Sequence, residues 1–180
     1  MRDEGRILRR AAPVLAVAAV AVLGLWLAAK ERTYVGASTC KLCHKAELQG
    51  RQYVIWESSP HSRAYANLAT PAADEIAKEA GITGPQTNTQ CLGCHAPLGD
   101  KAPDLKSEGV TCEVCHGPGS DYKKLNIMMD REKAVQNGLV LYPDPGAIQA
   151  HCLKCHQSAH GKTFDYRAAW DTIKHYLPAK

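Results

Sequence analysis

Residues 112–116 read Cys112-Glu113-Val114-Cys115-His116, and the same C-x-x-C-H pattern returns as Cys40-Lys41-Leu42-Cys43-His44, Cys91-Leu92-Gly93-Cys94-His95 and Cys152-Leu153-Lys154-Cys155-His156. The four copies use all 8 cysteines of the 180-residue chain. Two thiols three residues apart reach the two vinyl groups on one edge of a porphyrin, and the histidine that follows stands beneath the ring as proximal iron ligand. Paired cysteines also build zinc sites and redox dithiols, but neither chemistry asks for a histidine after every second cysteine. Chance would fill those four places on the order of a few times in a million. The pattern specifies four covalently attached c-type haems, held by Cys40, Cys43, Cys91, Cys94, Cys112, Cys115, Cys152 and Cys155, with His44, His95, His116 and His156 as proximal ligands.

The composition fits that reading. The chain is 45% hydrophobic and 22% charged, which excludes a disordered tail and a wholly embedded membrane protein, yet it has a single phenylalanine, Phe164. Porphyrin faces supply the apolar core that the missing aromatics do not, so the apoprotein is expected to be largely unfolded. The formal charge is +4. Residues 1–30 hold Arg2, Arg6, Arg9, Arg10 and Lys30 against Asp3 and Glu4, a net of +3, which leaves 4 − 3 = +1 for the rest. Four oxidised haems add about −4 through their propionates, making the remainder acidic. No basic stripe with interleaved aromatics appears, so nucleic acid is not expected as a partner.

Residues 11–29 form a run of 19 without a charge, preceded by four arginines. As a helix the run is about 28 Å long, close to the roughly 30 Å hydrocarbon core of a bilayer. By the positive-inside rule the arginines stay in the cytoplasm, which sends the chain from Lys30 onward to the periplasmic or extracellular side of a single-pass anchor. A cleaved secretory signal ending near Leu27-Ala28-Ala29 is the competing reading, and it delivers the chain to the same compartment.

Distal ligands decide what each iron can do, since two histidines give a low-potential carrier, methionine raises the potential and an open position admits a small molecule. The candidates are His61, His151, His160, His175, Met128 and Met129. His61 follows Ser59-Pro60 and opens a short helical segment through Leu68, and His175 ends an amphipathic stretch from Tyr166. Residues 122–137, closed by Gly138, read as one helix carrying Met128. Residues 72–80 form a short helix ended by Gly81, and Tyr142-Pro143-Asp144-Pro145-Gly146 is a turn. Cys112 follows closely on His95, which suggests that the second and third haems are neighbours.

Tyr34-Val35-Gly36, then Trp56-Glu57-Ser58-Ser59-Pro60-His61-Ser62-Arg63-Ala64, then Gly109-Val110-Thr111-Cys112-Glu113-Val114-Cys115-His116-Gly117-Pro118-Gly119 resemble the tetrahaem cytochrome c-554 family over residues 34 to about 176. The resemblance implies a mainly α fold: a small haem-packed multihaem cytochrome c domain with long loops, with stacked and perpendicular haem pairs, acting as an electron shuttle. It implies His61 and His175 as distal ligands and an open position at the His95 haem. Asn126 stands where the family's namesake has a histidine, and Met128 is the nearest side chain able to replace it.

The expectation is therefore an N-terminal anchor over 1–30, with one transmembrane helix, followed by a tetrahaem domain over 31–180. Its metal ligands are His44, His95, His116, His156, His61, His175 and Met128. It would carry electrons between a redox protein donor and acceptor, through the haems of partner cytochromes, rather than act as an enzyme. Three alternatives stay open. A tetrahaem quinol dehydrogenase would have a ligand methionine two residues after the first motif histidine, where Ala46 stands. The others are a small nitrogen-oxide reductase working at an open haem, and a subunit of an extracellular cytochrome filament.

Overall fold

Four side chains start helices in the same way. Thr70, Asp130, Asp144 and Asp165 each accept a hydrogen bond from the backbone N–H three residues on, at Ala73, Lys133, Ala147 and Ala168. Pro71 and Pro145 follow two of these caps at the first helical position, where a missing N–H is harmless. The computed structural model describes residues 31–157 and 161–175. The chain divides into two units, Met1–Glu31 and Arg32–Lys180, and the description concerns the second.

Its α-helices are α1 (Ala37–His44), α2 (Gln52–Ser58), α3 (Ala64–Asn67), α4 (Pro71–Glu79), α5 (Thr89–His95), α6 (Cys112–His116), α7 (Leu125–Met128), α8 (Arg131–Gln136), α9 (Pro145–Cys152) and α10 (Tyr166–Ile173). Tight 3-10 turns lie at Glu47–Gln49, Pro60–Arg63 and Pro103–Glu108. Among the described residues there is no strand, and no helix is long and apolar enough to cross a membrane. The apolar run at 11–29 lies outside the described residues, as does His160.

None of these helices exceeds nine residues, and isolated helices shorter than about 12–15 residues are marginal in water. They need something to pack on. Among the described residues the buried apolar side chains are Ala37, Leu68, Ala77, Ala96, Leu98, Tyr122 and Ala134, four of the seven being alanine. Leu42 and Leu48 stand 77% and 85% exposed. Protein side chains alone make a core too thin for such short helices, which is what a domain built around large flat cofactors requires. Helix α1 packs on α2 and α6, α3 on α5 and the Pro103–Glu108 turn, and α10 on α2.

Two sequence expectations change. The single helix over 122–137 becomes α7 and α8, because Asp130 leaves the helical conformation (φ −117°, ψ 111°) and caps α8 with its side chain. The turn at 142–146 becomes the start of α9, with Asp144 as its cap. The short helix expected at 72–80 is α4, and Gly81 follows it at φ +68°.

Candidate haem sites

The C-x-x-C-H motifs end helices in three cases and straddle a helix end in the fourth. Helices α1, α5 and α6 finish on His44, His95 and His116, while α9 finishes on Cys152 and leaves Cys155 and His156 in the turn beyond it. All eight cysteines are unbridged.

Three of these histidines have Nδ1 against an oxygen. His95 Nδ1 lies 2.9 Å from the Ala64 carbonyl, His116 Nδ1 3.1 Å from the Val140 carbonyl, and His44 Nδ1 3.2 Å from Gln52 Oε1. A carbonyl oxygen only accepts, so Nδ1 donates, and in the neutral ring this puts the lone pair on Nε2, the tautomer a metal-binding histidine needs. His175 Nδ1 is held in the same way by the Ile173 carbonyl at 3.1 Å. Val140 also donates its N–H to the His116 carbonyl at 2.9 Å, which fixes both ends of that residue.

Two pairs of rings come together. His61 and His156 stand 6.1 Å apart between centroids, tilted by 44°. His116 and His175 stand 5.9 Å apart, tilted by 55°. An iron between two imidazole nitrogens at about 2 Å each, with roughly 1.1 Å from nitrogen to ring centre, separates the centroids by about 6 Å. The spacing fits one iron between each pair. Burial lowers the pKa of His61, with His156 adding to the effect. Burial also lowers those of His116 and His156, so these rings stay neutral and able to ligate.

The structure thus sets His61 against the fourth motif and His175 against the third. Among the described residues no second imidazole makes ring contact with His44 or His95. Met128 sits half-buried on α7, between the exposed Leu125 and Met129. His151 lies against the Tyr142 ring at 5.1 Å.

The thiols show how the motifs neighbour one another. The Cys40 thiol donates to Cys112, a bond that raises the Cys40 pKa and lowers that of Cys112. Burial pushes Cys115 up to about 11, with Cys152 as the second cause. Burial, then a hydrogen bond with Cys94, pushes Cys155 up to about 11. Thiol hydrogen bonds thus join the first motif to the third and the second to the fourth, while the third and fourth interact only electrostatically. Between the second and third motifs the chain passes through Pro103–Glu108 and comes back against the His61 turn, where Val110 N–H meets the His61 carbonyl. Among the described residues no three His, Cys, Asp or Glu side chains converge as a metal cluster.

Sequence reasoning missed what holds these parts in place. Glu113, between the cysteines of the third motif, is 2% exposed. Its Oε1 accepts from Gly119 N–H at 2.6 Å and Val35 N–H at 3.0 Å, and its Oε2 from Val35 at 2.9 Å and Gly36 at 2.8 Å. The chain leading into α1 is thereby tied to α6. Glu108 Oε2 adds a bond from the first amide of α1, Ala37 N–H, at 2.8 Å. The signal was a carboxylate between two cysteines, with a glycine at 119, where a Cβ would stand 2.9 Å from Glu113 Oε1, letting the backbone approach it.

The His61 turn is clamped as well. Val110 N–H donates to the His61 carbonyl at 3.0 Å, and Trp56 Nε1–H donates to the Val110 carbonyl at 2.9 Å. Gly109, at φ +69°, makes this possible, because a Cβ there would stand 2.5 Å from the His61 carbonyl oxygen. The same turn continues into Ala64, whose carbonyl holds His95. Residues 61–64 therefore brace both the second and the fourth motif.

The family model described as cytochrome c554 and c-prime matches residues 39–117, the stretch that holds the first three motifs. The curated cytochrome c-554 of Nitrosomonas europaea is 27% identical over 149 residues, covering 74% of this chain and 61% of the relative. The chain thus matches about three fifths of that relative's length. No solved structure matches. Similarity to this family points to covalently bound c-type haem and to electron transfer, in keeping with imidazoles beside paired thiols. The family match falls on the first three motifs, and with the curated relative it supports the cytochrome c-554 family.

Proposed function

We propose that the protein is a membrane-tethered, periplasm-facing tetrahaem cytochrome c that relays single electrons between a membrane donor and another redox protein. Haem, when bound, supplies the one-electron ferric and ferrous couple. The chain's part is to fix where the irons sit and how strongly each holds its electron. The observation that carries the reading is the pair of imidazole couples, His61 with His156 and His116 with His175, at the spacing of one shared iron. Both sites would be bis-histidine and of low potential. His44 and His95 would hold the other two irons, and Met128 remains a candidate distal ligand.

The thiol hydrogen bonds, first to third and second to fourth, and the electrostatic interaction between Cys115 and Cys152 support a relay order of first, third, fourth, second. The first and second motifs are then the two ends of the path, where donor and acceptor would dock. Neither terminal motif has a second imidazole against it among the described residues. That favours the nitrogen-oxide reductase as the second reading, since an open iron at one end is reachable by a small molecule.

The test is to express the full chain in a host that attaches c-type haem and fractionate it. The proposal expects membrane association that detergent releases, an intact mass equal to the chain plus four haems, and complete oxidation by a soluble ferric cytochrome. A mass with fewer than four haems, or holoprotein found wholly in the soluble fraction, would reject the corresponding part. Carbon monoxide binding to the reduced protein would favour the reductase reading.

A further inference from the structure

His156 differs from the other three motif histidines in what holds its ring. His44, His95 and His116 each have an oxygen on Nδ1. Among the described residues no hydrogen bond reaches the His156 ring, which lies flat on Phe164, 4.3 Å between centroids and 15° between planes. Phe164 is the chain's one phenylalanine, half-buried, and stands immediately before Asp165, the cap of α10. The opposite end of α10, about 12 Å away at 1.5 Å per residue, leads to His175, which faces His116. One short helix thus presents a flat ring to the fourth site and a ligand to the third.

An Nδ1–H···O=C bond does two things for an iron-bound imidazole: it fixes the ring plane, and it makes the imidazole a stronger donor, which favours the ferric state. A stacked phenyl ring fixes the plane equally well, but it accepts no such hydrogen bond and leaves the donor weaker.

We propose that Phe164 is a positioning residue that sets the ring plane of His156 in place of the Nδ1 hydrogen bond, so that of the two bis-histidine sites the fourth has the higher potential. This rests on the reading that the fourth motif carries haem. On the relay order above, the consequence is directional: electrons arriving from the third site are held at the fourth, next to the second.

The single phenylalanine makes a direct test possible. Holoprotein labelled with 4-fluorophenylalanine gives one fluorine resonance, whose paramagnetic shift follows the nearest iron through a redox titration. The inference expects that resonance to titrate at a higher potential than the low-spin signal lost in His175→Ala. Titration at the same or a lower potential, or no shift at all, overturns it. In a second arm, Phe164→Leu removes the ring and opens Nδ1 to a water acceptor, so it should alter one low-spin electron paramagnetic resonance signal and lower that haem's electron affinity by about tenfold, 59 mV for one electron. Phe164→Tyr, which keeps the ring, should restore both. Four unchanged signals, changes at all four haems, or a tyrosine variant as altered as the leucine one would each overturn the inference. Mass analysis of the 152–156 peptide separates the two failures, because a haem-free peptide overturns the functional reading itself.

Discussion

Gly109→Ala tests whether the backbone before the third motif positions the ligand of the fourth. The new Cβ would lie 2.5 Å from the His61 carbonyl oxygen, where ordinary contact begins at 3.4 Å, so the two must separate by 3.4 − 2.5, about 0.9 Å. Catalytic and metal sites tolerate about 0.5 Å, so the displacement exceeds what the His61–His156 couple can absorb. The residue's φ of +69° and ψ of −127° add about 1–3 kcal/mol of strain for any side chain, and loss of the Val110–His61 hydrogen bond adds about 1 kcal/mol. We expect about 2–4 kcal/mol in total, a large share of the 5–15 kcal/mol typical of a domain. Gly81→Ala is the control, because Gly81 has the same φ, +68°, with nothing within 4 Å of its Cβ. Urea unfolding followed by circular dichroism measures the loss, and low-temperature electron paramagnetic resonance reads the ligand set. Gly109→Ala should convert one low-spin signal to high spin and Gly81→Ala should not. If Gly109→Ala is no less stable than Gly81→Ala and keeps every low-spin signal, the clamp does not position His61.

Three further outcomes follow from named contacts. Glu113→Ala leaves the amides of Val35, Gly36 and Gly119 without their acceptor, and at about 1–3 kcal/mol each should lower unfolding stability by at least about 3 kcal/mol; a urea midpoint within error of wild type would show that these bonds carry nothing. Met128→Leu should abolish any sulfur-to-iron absorption at the red edge of the visible spectrum and lower one midpoint potential, whereas an unchanged spectrum and unchanged potentials would remove Met128 from the ligand set. Chain expressed without haem attachment should give the circular dichroism of a largely unfolded protein, given a side-chain core made mostly of alanine, and a cooperative thermal transition would contradict that.

The chemistry of this chain was legible because covalent attachment forces a local pattern. A C-x-x-C-H pentapeptide is complete in itself, so thiols and proximal histidines could be named without a fold. The short helices at α4 and α10 were also legible, since Pro71, Asp165 and Gly81 punctuate them locally. What stayed hidden was long-range. Which histidine faces which motif depends on how residues 96–111 return to the His61 turn, and nothing in the spacing from His95 to Cys112 encodes that path. The break between α7 and α8 was misread because Asp130 satisfies a helical pattern as well as it caps one. Glu113 and Phe164 were visible as residues, but their roles rest on partners 77 and 8 positions away in sequence.

Two irons, on the function proposed, are each held between two imidazoles, at His61–His156 and His116–His175. Low-temperature electron paramagnetic resonance of the fully oxidised holoprotein, compared with His61→Ala and His175→Ala, tests it most directly. We expect at least two bis-histidine low-spin ferric signals, one lost in each variant and a different one in each. Loss of the same signal in both variants, or of none in either, would contradict it.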